Sequence, residues 1–328
     1  MAMQNDPAKG IQAKDMTASL GFTHIPVLLP ETIDLLGVRS DGIYVDGTTG
    51  GAGHSRAIAS LLDGAQGGLL IGLDRDPDAV AAATARLAGY PAKVVHCNYS
   101  EMRRVLDDLG IGCVDGVLLD LGVSSHQLDE AERGFSYNAD APLDMRMSQE
   151  GLSARDFVND WDAGEITRIL WDYGEEKFAP RIAAAITRAR QEAPIETTLQ
   201  LADIIREAVP QKYRRDKNPC KKSFQAIRIR VNAEFDHLRG GLTAAFESLK
   251  PGGRLAVITF HSLEDRIVKQ QFAQWCAGCT CPPDFPQCVC GNKPKGRLVN
   301  RKPVTAGEQE LAENRRSHSA KLRVIEKL

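Results

Sequence analysis

A chain of 328 residues exceeds the roughly 100–200 that one domain usually holds, so two domains are expected. Its 43% hydrophobic and 26% charged residues exclude a disordered chain, and a net charge of −2 excludes a general polycation. No run approaches the roughly 18 uninterrupted apolar residues of a membrane helix, and the N-terminus lacks a secretory layout, so the expected location is cytoplasmic with no membrane partner.

Residues 1–20 are polar and aperiodic and read as a flexible tail. From Gly42 onward short apolar runs alternate with helix-length stretches. The runs are Ile43–Asp46, Leu69–Asp74, Lys93–His96 and Val117–Asp120, separated by Ser55–Leu62, Pro77–Ala88 and Ser100–Leu109. This alternation implies βαβ units and a parallel sheet. The next convincing strand is Arg254–Phe260. Between them Ser153 can cap a helix carrying Phe157, and Asp162 one carrying Ile166, Ile169 and Leu170. Ile182 with Ile186, and Leu201 with Ile204 and Ile205, mark two more. Residues 127–222 are therefore expected as an inserted helical domain, with 21–126 and 223–328 forming the α/β domain around it. Ser223–Leu249 reads as one long helix ending at the turn Lys250-Pro251-Gly252-Gly253. A helix follows from Ser262 to about Gln274, and Ala320–Lys327 reads as a final strand.

The strand Ile43–Asp46 enters Gly47-Thr48-Thr49-Gly50-Gly51-Ala52-Gly53-His54-Ser55, a glycine-rich turn between a strand and a helix. Such a loop lets a ligand approach the backbone closely, and Asp74, at the end of the next strand, can accept both hydroxyls of a ribose. A dinucleotide fingerprint wants a third glycine or alanine where this chain has Arg56. The loop, its helix N-terminus and Asp46 suit instead an amino-acid end with a carboxylate and an ammonium. In an open α/β sheet, Asp120-Leu121-Gly122-Val123-Ser124-Ser125 should border the same crevice.

Further motifs are His24-Ile25-Pro26-Val27-Leu28-Leu29-Pro30-Glu31, Asp120–Gln127, Glu132-Arg133-Gly134-Phe135-Ser136, Pro142–Met147, Phe224-Gln225-Ala226-Ile227-Arg228-Ile229 and Phe260-His261-Ser262-Leu263-Glu264-Asp265-Arg266. In this order they resemble the bacterial family of 16S ribosomal RNA cytosine-N4 methyltransferases. The resemblance implies a Rossmann-like class I methyltransferase fold with a seven-stranded, mostly parallel sheet and an inserted all-helical domain. It implies S-adenosylmethionine as cofactor and 16S ribosomal RNA of the small ribosomal subunit as partner, the family target being cytidine 1402. Its cofactor contacts fall on Ala52, Gly53, His54, Asp74, Asp120 and Gln127, and Tyr99 stands where an aromatic residue flanks the cofactor.

Many amino methyltransferases carry an Asp/Asn/Ser-Pro-Pro-aromatic tetrad at the fourth strand, whereas this chain has Asp120-Leu121-Gly122-Val123. Asp120 is accordingly the first candidate for orienting the cytosine amine, with His261 and Asp265 as further catalytic candidates. Phe135, Tyr137 and Phe260 are candidates for holding an unstacked base, and Asp144 and Arg146 for holding RNA. Basic residues between 212 and 230, among them Lys221, Lys222 and Arg228, can face phosphates, together with Lys293, Lys295, Arg297, Arg301 and Lys302.

No metal is assigned. Cys276, Cys279, Cys281, Cys288 and Cys290 are nonetheless enough thiols to surround one zinc ion with one to spare, or they are reduced thiols in a proline-rich loop. Two rivals to the enzyme reading stay open: a ribosome-assembly factor that binds RNA without transferring a methyl group, and the same chemistry on DNA or protein.

Overall fold

The structure, a computed structural model, describes residues 26–214, 218–279, 281, 287 and 290–328. The tail expected over residues 1–20 lies outside them. Among the described residues, seven strands build one sheet: β1 (Ile43–Asp46), β2 (Leu69–Asp74), β3 (Ala92–His96), β4 (Val114–Asp120), β5 (Leu249–Thr259), β6 (Gly296–Leu298) and β7 (Lys321–Lys327). Their spatial order is β3-β2-β1-β4-β5-β7-β6, with β1 to β5 parallel and β7 antiparallel to both its neighbours. This is the expected class I methyltransferase arrangement. Chain order reverses between β1 and β4, which opens a crevice at the carboxyl ends of those strands.

Side chains alternate across the sheet with the strand period of two, and each face finds its own partners. Helices α1 (Leu29–Leu36), α2 (Gly53–Ala59) and α3 (Pro77–Arg86) bury Leu36, Ile58 and Ala83 against Leu70, Leu118 and Ile258. On the opposite face, Val117 and Leu119 meet Met102 and Leu106 of α4 (Met102–Asp108). Each fully buried leucine or isoleucine in these layers contributes about 1.5–3 kcal/mol.

After β4 the chain forms α5 (Ser125–Asp129), then α6 (Ala154–Asp160), α7 (Ala163–Gly174), α8 (Ala179–Glu192), α9 (Thr198–Ala208) and α10 (Cys220–Val231). The expected caps are in place: the Ser153 side chain accepts the Asp156 amide, and that of Asp162 the Glu165 amide. Phe157, Ile166, Ile169, Leu170, Ile182, Ile186, Leu201 and Ile205 lie in a core separate from those of the sheet.

The single long helix expected over Ser223–Leu249 is two helices. Between α10 and α11 (Glu234–Ser248), Ala233 adopts a left-handed conformation with φ 48° and breaks the run. Asn232 fixes the break. Its Nδ2 donates to Met145 O at 2.7 Å and its Oδ1 accepts Met147 N–H at 2.8 Å. The expected turn at 250–253 belongs to β5, where Leu249 pairs with Val114 before the register shifts at Gly116. Helix α12 (Ser262–Cys276) packs Val268, Phe272 and Trp275 beside α11. No helix of the described residues is long and apolar enough to cross a membrane.

Candidate active site

The glycine loop leaves β1 through a set of short polar contacts that hold it across both neighbouring strands. Gly47 N–H donates to Leu118 O at 2.9 Å and Thr49 N–H to Leu73 O at 3.0 Å. Asp46 is fully buried at the base, where Oδ2 accepts Ser55 Oγ–H at 2.6 Å and Oδ1 accepts Thr48 N–H at 3.1 Å. Burial outweighs these bonds and pushes its pKa up to about 6, with Asp74 adding repulsion. Ala52, the cap of α2, is left-handed with φ 60°. At Gly53 a Cβ would fall 2.3 Å from Pro26 Cγ, so only glycine lets the loop lie this close to the segment before α1. His54 is buried, with Nε2 3.0 Å from Val27 O and Nδ1 3.5 Å from Asp120 Oδ2.

Asp74 closes β2 beside the loop. Its Oδ2 accepts Gly50 N–H at 2.8 Å and Oδ1 accepts Asp76 N–H at 2.9 Å, while burial and the neighbouring Asp76 hold its pKa above the usual carboxylate range. Behind it stands Asp76, which sequence reasoning did not single out. Its side chain caps α3 and accepts from Gln127 Nε2 at 2.7 Å and Arg133 Nη2 at 2.9 Å. The Asp-Pro pair at 76–77 is a helix-start signal that could have found it. Gln127 spends its other amide atom on Ser124 N–H at 3.0 Å, so both ends of its side chain brace the crevice wall.

Asp120 ends β4 at the crevice floor, its own N–H donating to Thr48 Oγ1 at 2.6 Å. Oδ1 is buried without a hydrogen-bond partner, and desolvation, Asp46 and Glu264 in that order raise its pKa well above the ordinary value. Glu264 was missed in the sequence. It is fully buried, its Oε2 accepting Phe260 N–H at 3.0 Å and its Oε1 lying 3.0 Å from His261 Nε2. The His261 ring in turn accepts Glu264 N–H as the cap of α12, while Glu264 reaches one residue farther back to Phe260, and the His-x-x-Glu spacing was the available signal. His261 and Arg228 hold the Glu264 carboxyl below the usual range despite its burial.

Asp265, expected in the crevice, is a correction: one helix position on, it faces β7 and pairs with Arg323 Nε at 2.7 Å and Lys321 Nζ at 3.3 Å. Tyr99 sits against the loop, with a Cβ at Gly241 falling 2.2 Å from its ring and one at Gly47 falling 2.9 Å from Tyr99 Cβ. Burial first, then Glu234 and Glu264, raise its pKa.

The expected RNA-facing residues are dispersed. Phe135 is buried in the helical core, and Tyr137 meets Phe224 edge-on at 5.3 Å. Asp144 and Arg146 pair with each other at 2.6 Å. Arg228 points inward in a two-pronged pair with Glu234, both bonds 2.8 Å, which corrects its placement on a phosphate-binding surface. Lys221 is exposed, and Lys222 Nζ donates to Glu175 O at 2.8 Å. Arg215, Asp216 and Lys217 lie outside the described residues. An unforeseen cavity of ≈ 240 Å3 opens between α7, α10 and α11, lined by Arg168, Tyr173, Arg230 and Phe235 among others. Of the five clustered cysteines, Cys288 lies outside the described residues, and Cys279, Cys281 and Cys290 come together.

The arrangement can bind a cation. Asp46, Asp74 and Asp120 end three adjacent strands, and the raised pKa of each records negative charge or desolvation that a positive ligand would relieve. An anionic dinucleotide would aggravate it. The sequence profile of the MraW methylase family matches residues 21–328. The protein named ribosomal RNA small subunit methyltransferase H in Lachnospira eligens is 55% identical over 311 residues, covering 94% of this chain and 98% of its own. The protein of that name in Brevibacillus brevis is 53% identical over 314 residues (94% and 99%), and that in Paenibacillus sp. is 56% identical over 317 residues (94% and 100%).

Proposed function

This chain belongs to the MraW methylase family, and from that membership we propose that it methylates the exocyclic N4 of a cytidine, cytidine 1402, in 16S ribosomal RNA within the small ribosomal subunit. That it is an S-adenosylmethionine-dependent ribosomal RNA methyltransferase follows from relatives above 50% identity across nearly the whole chain. The single observation that carries the site assignment is the convergence of Asp46, Asp74 and Asp120 at the carboxyl ends of three adjacent strands around the glycine loop, matched to a donor with an ammonium and a sulfonium centre.

S-adenosylmethionine supplies an electrophilic methyl carbon on its sulfonium sulfur. In this reading Asp74, fixed by the Gly50 and Asp76 amides, accepts the ribose hydroxyls, and the start of α2 at Ala52, Gly53 and His54 faces the amino-acid end. Asp46 neutralises the ammonium, Tyr99 flanks the adenine, and Gln127 holds the wall.

The cytosine amine is a weak nucleophile, because its lone pair is delocalised into the ring. Asp120, whose side chain is 26% exposed at the crevice floor, accepts a hydrogen bond from that amine, orients it, and stabilises the positive charge that grows on nitrogen during transfer. With its pKa raised, the same carboxyl is poised to take the departing proton. Phe260 lies against Gly122 and offers an apolar wall to the unstacked base. Glu264, held by His261, acts on Asp120 through its charge. The helices within 127–222 form the RNA-recognition insert, and at the cavity beside them Arg168 and Arg230 hold backbone phosphates while Tyr173, backed edge-on by Phe235, offers its ring to a neighbouring base.

Radiolabelled methyl transfer to small subunits, followed by nucleoside analysis, tests the reading. N4-methylcytidine is the expected product. An absence of label would favour the assembly factor, and label on DNA or protein would favour the other rival.

A further inference from the structure

We propose that Cys279, Cys281 and Cys290 form a thiolate site for one zinc ion on the loop between α12 and β6. The loop is closed at its base, where Lys295 N–H donates to Trp275 O at 2.8 Å and Trp275 is stacked on Phe246 with centroids 4.1 Å apart. Farther out Asn292 Nδ2 donates to Gly278 O at 2.7 Å and Ala277 O at 3.2 Å, drawing the two flanks of the loop together.

At its end the three sulfurs lie within 4.8 Å of one another, as thiols rather than as a disulfide. Zinc bound at about 2.3 Å by tetrahedral thiolates sets sulfurs about 3.8 Å apart. The Cys279 and Cys290 sulfurs are 3.7 Å apart, the Cys290 thiol donating to Cys279 Sγ. Two thiol hydrogens need no such convergence of a third sulfur, whereas a soft divalent cation does.

The surrounding amides carry the same message. Cys279 Sγ accepts the N–H of Cys281 at 3.4 Å, and Cys290 Sγ accepts that of Asn292 at 3.5 Å. Two of the three sulfurs, those of Cys279 and Cys290, thus take the amide two residues ahead. An N–H directed at sulfur stabilises the thiolate over the thiol, and the thiolate is the metal-binding form. Cys276, at the end of α12, has its pKa raised by burial and lies outside the group of three.

A bound ion would tie Cys279 and Cys281 on one flank of the loop to Cys290 on the other. The site is distant in kind from the crevice chemistry. Its role is that of a structural clasp.

The test is elemental analysis of the full chain, purified under reductant without added metal. About one zinc per chain is expected from a site of this type. The double variant Cys279→Ser, Cys290→Ser should lose it, while Cys113→Ser, which alters an exposed cysteine elsewhere, should keep it. Should the double variant fail to fold, alkylation of the intact chain decides: Cys279, Cys281 and Cys290 should react several-fold faster after chelation, and Cys113 at an unchanged rate. Zinc-free protein, iron or copper in place of zinc, unchanged alkylation on chelation, or a Cys279–Cys290 disulfide in freshly prepared reduced protein would each overturn the proposal.

Discussion

Gly50 and Asp74 are joined by a 2.8 Å hydrogen bond, so the glycine loop after β1 and the acidic end of β2 behave as one rigid element. Replacing Asp74 by Ala removes a charge-assisted contact to the donor worth about 1.5–3 kcal/mol and releases the loop amide as well. Affinity for S-adenosylmethionine should fall by about tenfold or more. Isothermal calorimetry measures it, and unchanged affinity would take Asp74 out of the site.

Asp120→Asn keeps the shape of the crevice floor but cannot take a proton. The kcat for methyl transfer should fall about a hundredfold or more, with donor affinity much less affected. Glu264→Gln tests the arrangement from the other side. The Glu264 charge helps to raise the Asp120 pKa, so its loss lowers that pKa and moves the acid limb of the rate profile to lower pH. A limb that stays in place would separate Asp120 from the rate-limiting proton.

Asp46 has a pKa of about 6 in the folded chain against 3.8 when exposed. The native state therefore binds this proton more tightly than the unfolded state, and stability declines as pH rises from about 4 to about 6, by up to about 3 kcal/mol from this group. Denaturation of Asp46→Asn across that window should show a flatter profile than the parent. Placing the donor's ammonium against Asp46 lowers its pKa, so binding near pH 6 should release protons. Calorimetry in buffers of different ionisation enthalpy counts them, and an equal release from Asp46→Asn would assign the protons elsewhere.

Asn232→Ala leaves Met147 N–H and Met145 O without their partner where the helical body meets α11. About 2–4 kcal/mol of stability should be lost. Urea titration should show a lower midpoint with an unchanged slope.

The strands β1 and β2 were legible to the residue because each is a short apolar run ended by an aspartate and a turn. The crevice followed from them, since ligands gather where parallel strands end. What the sequence hid were features set by tertiary contact. Ala233 carries no signal of its own for a left-handed angle; Asn232 binding Met145 and Met147 across 85 or more positions imposes it. The three-residue β6 is specified by pairing with β7 rather than by its own pattern. Asp265 and Glu264 differ by one helical position, about 100° around the axis, which sequence alone does not orient. The capping geometry of His261 turns Glu264 inward and leaves Asp265 to Arg323. The basic run likewise looked like one surface, whereas a helical period sends Arg228 into the interior and leaves Lys221 outside.

The unpartnered oxygen of Asp120 carries a consequence for how this protein can be toughened. A buried carboxyl with an acceptor left over is a standing debit to the resting enzyme, and a neutral side chain of similar size would relieve it. A library screened for heat resistance alone should enrich replacements at this position, and the winners should be durable and inert.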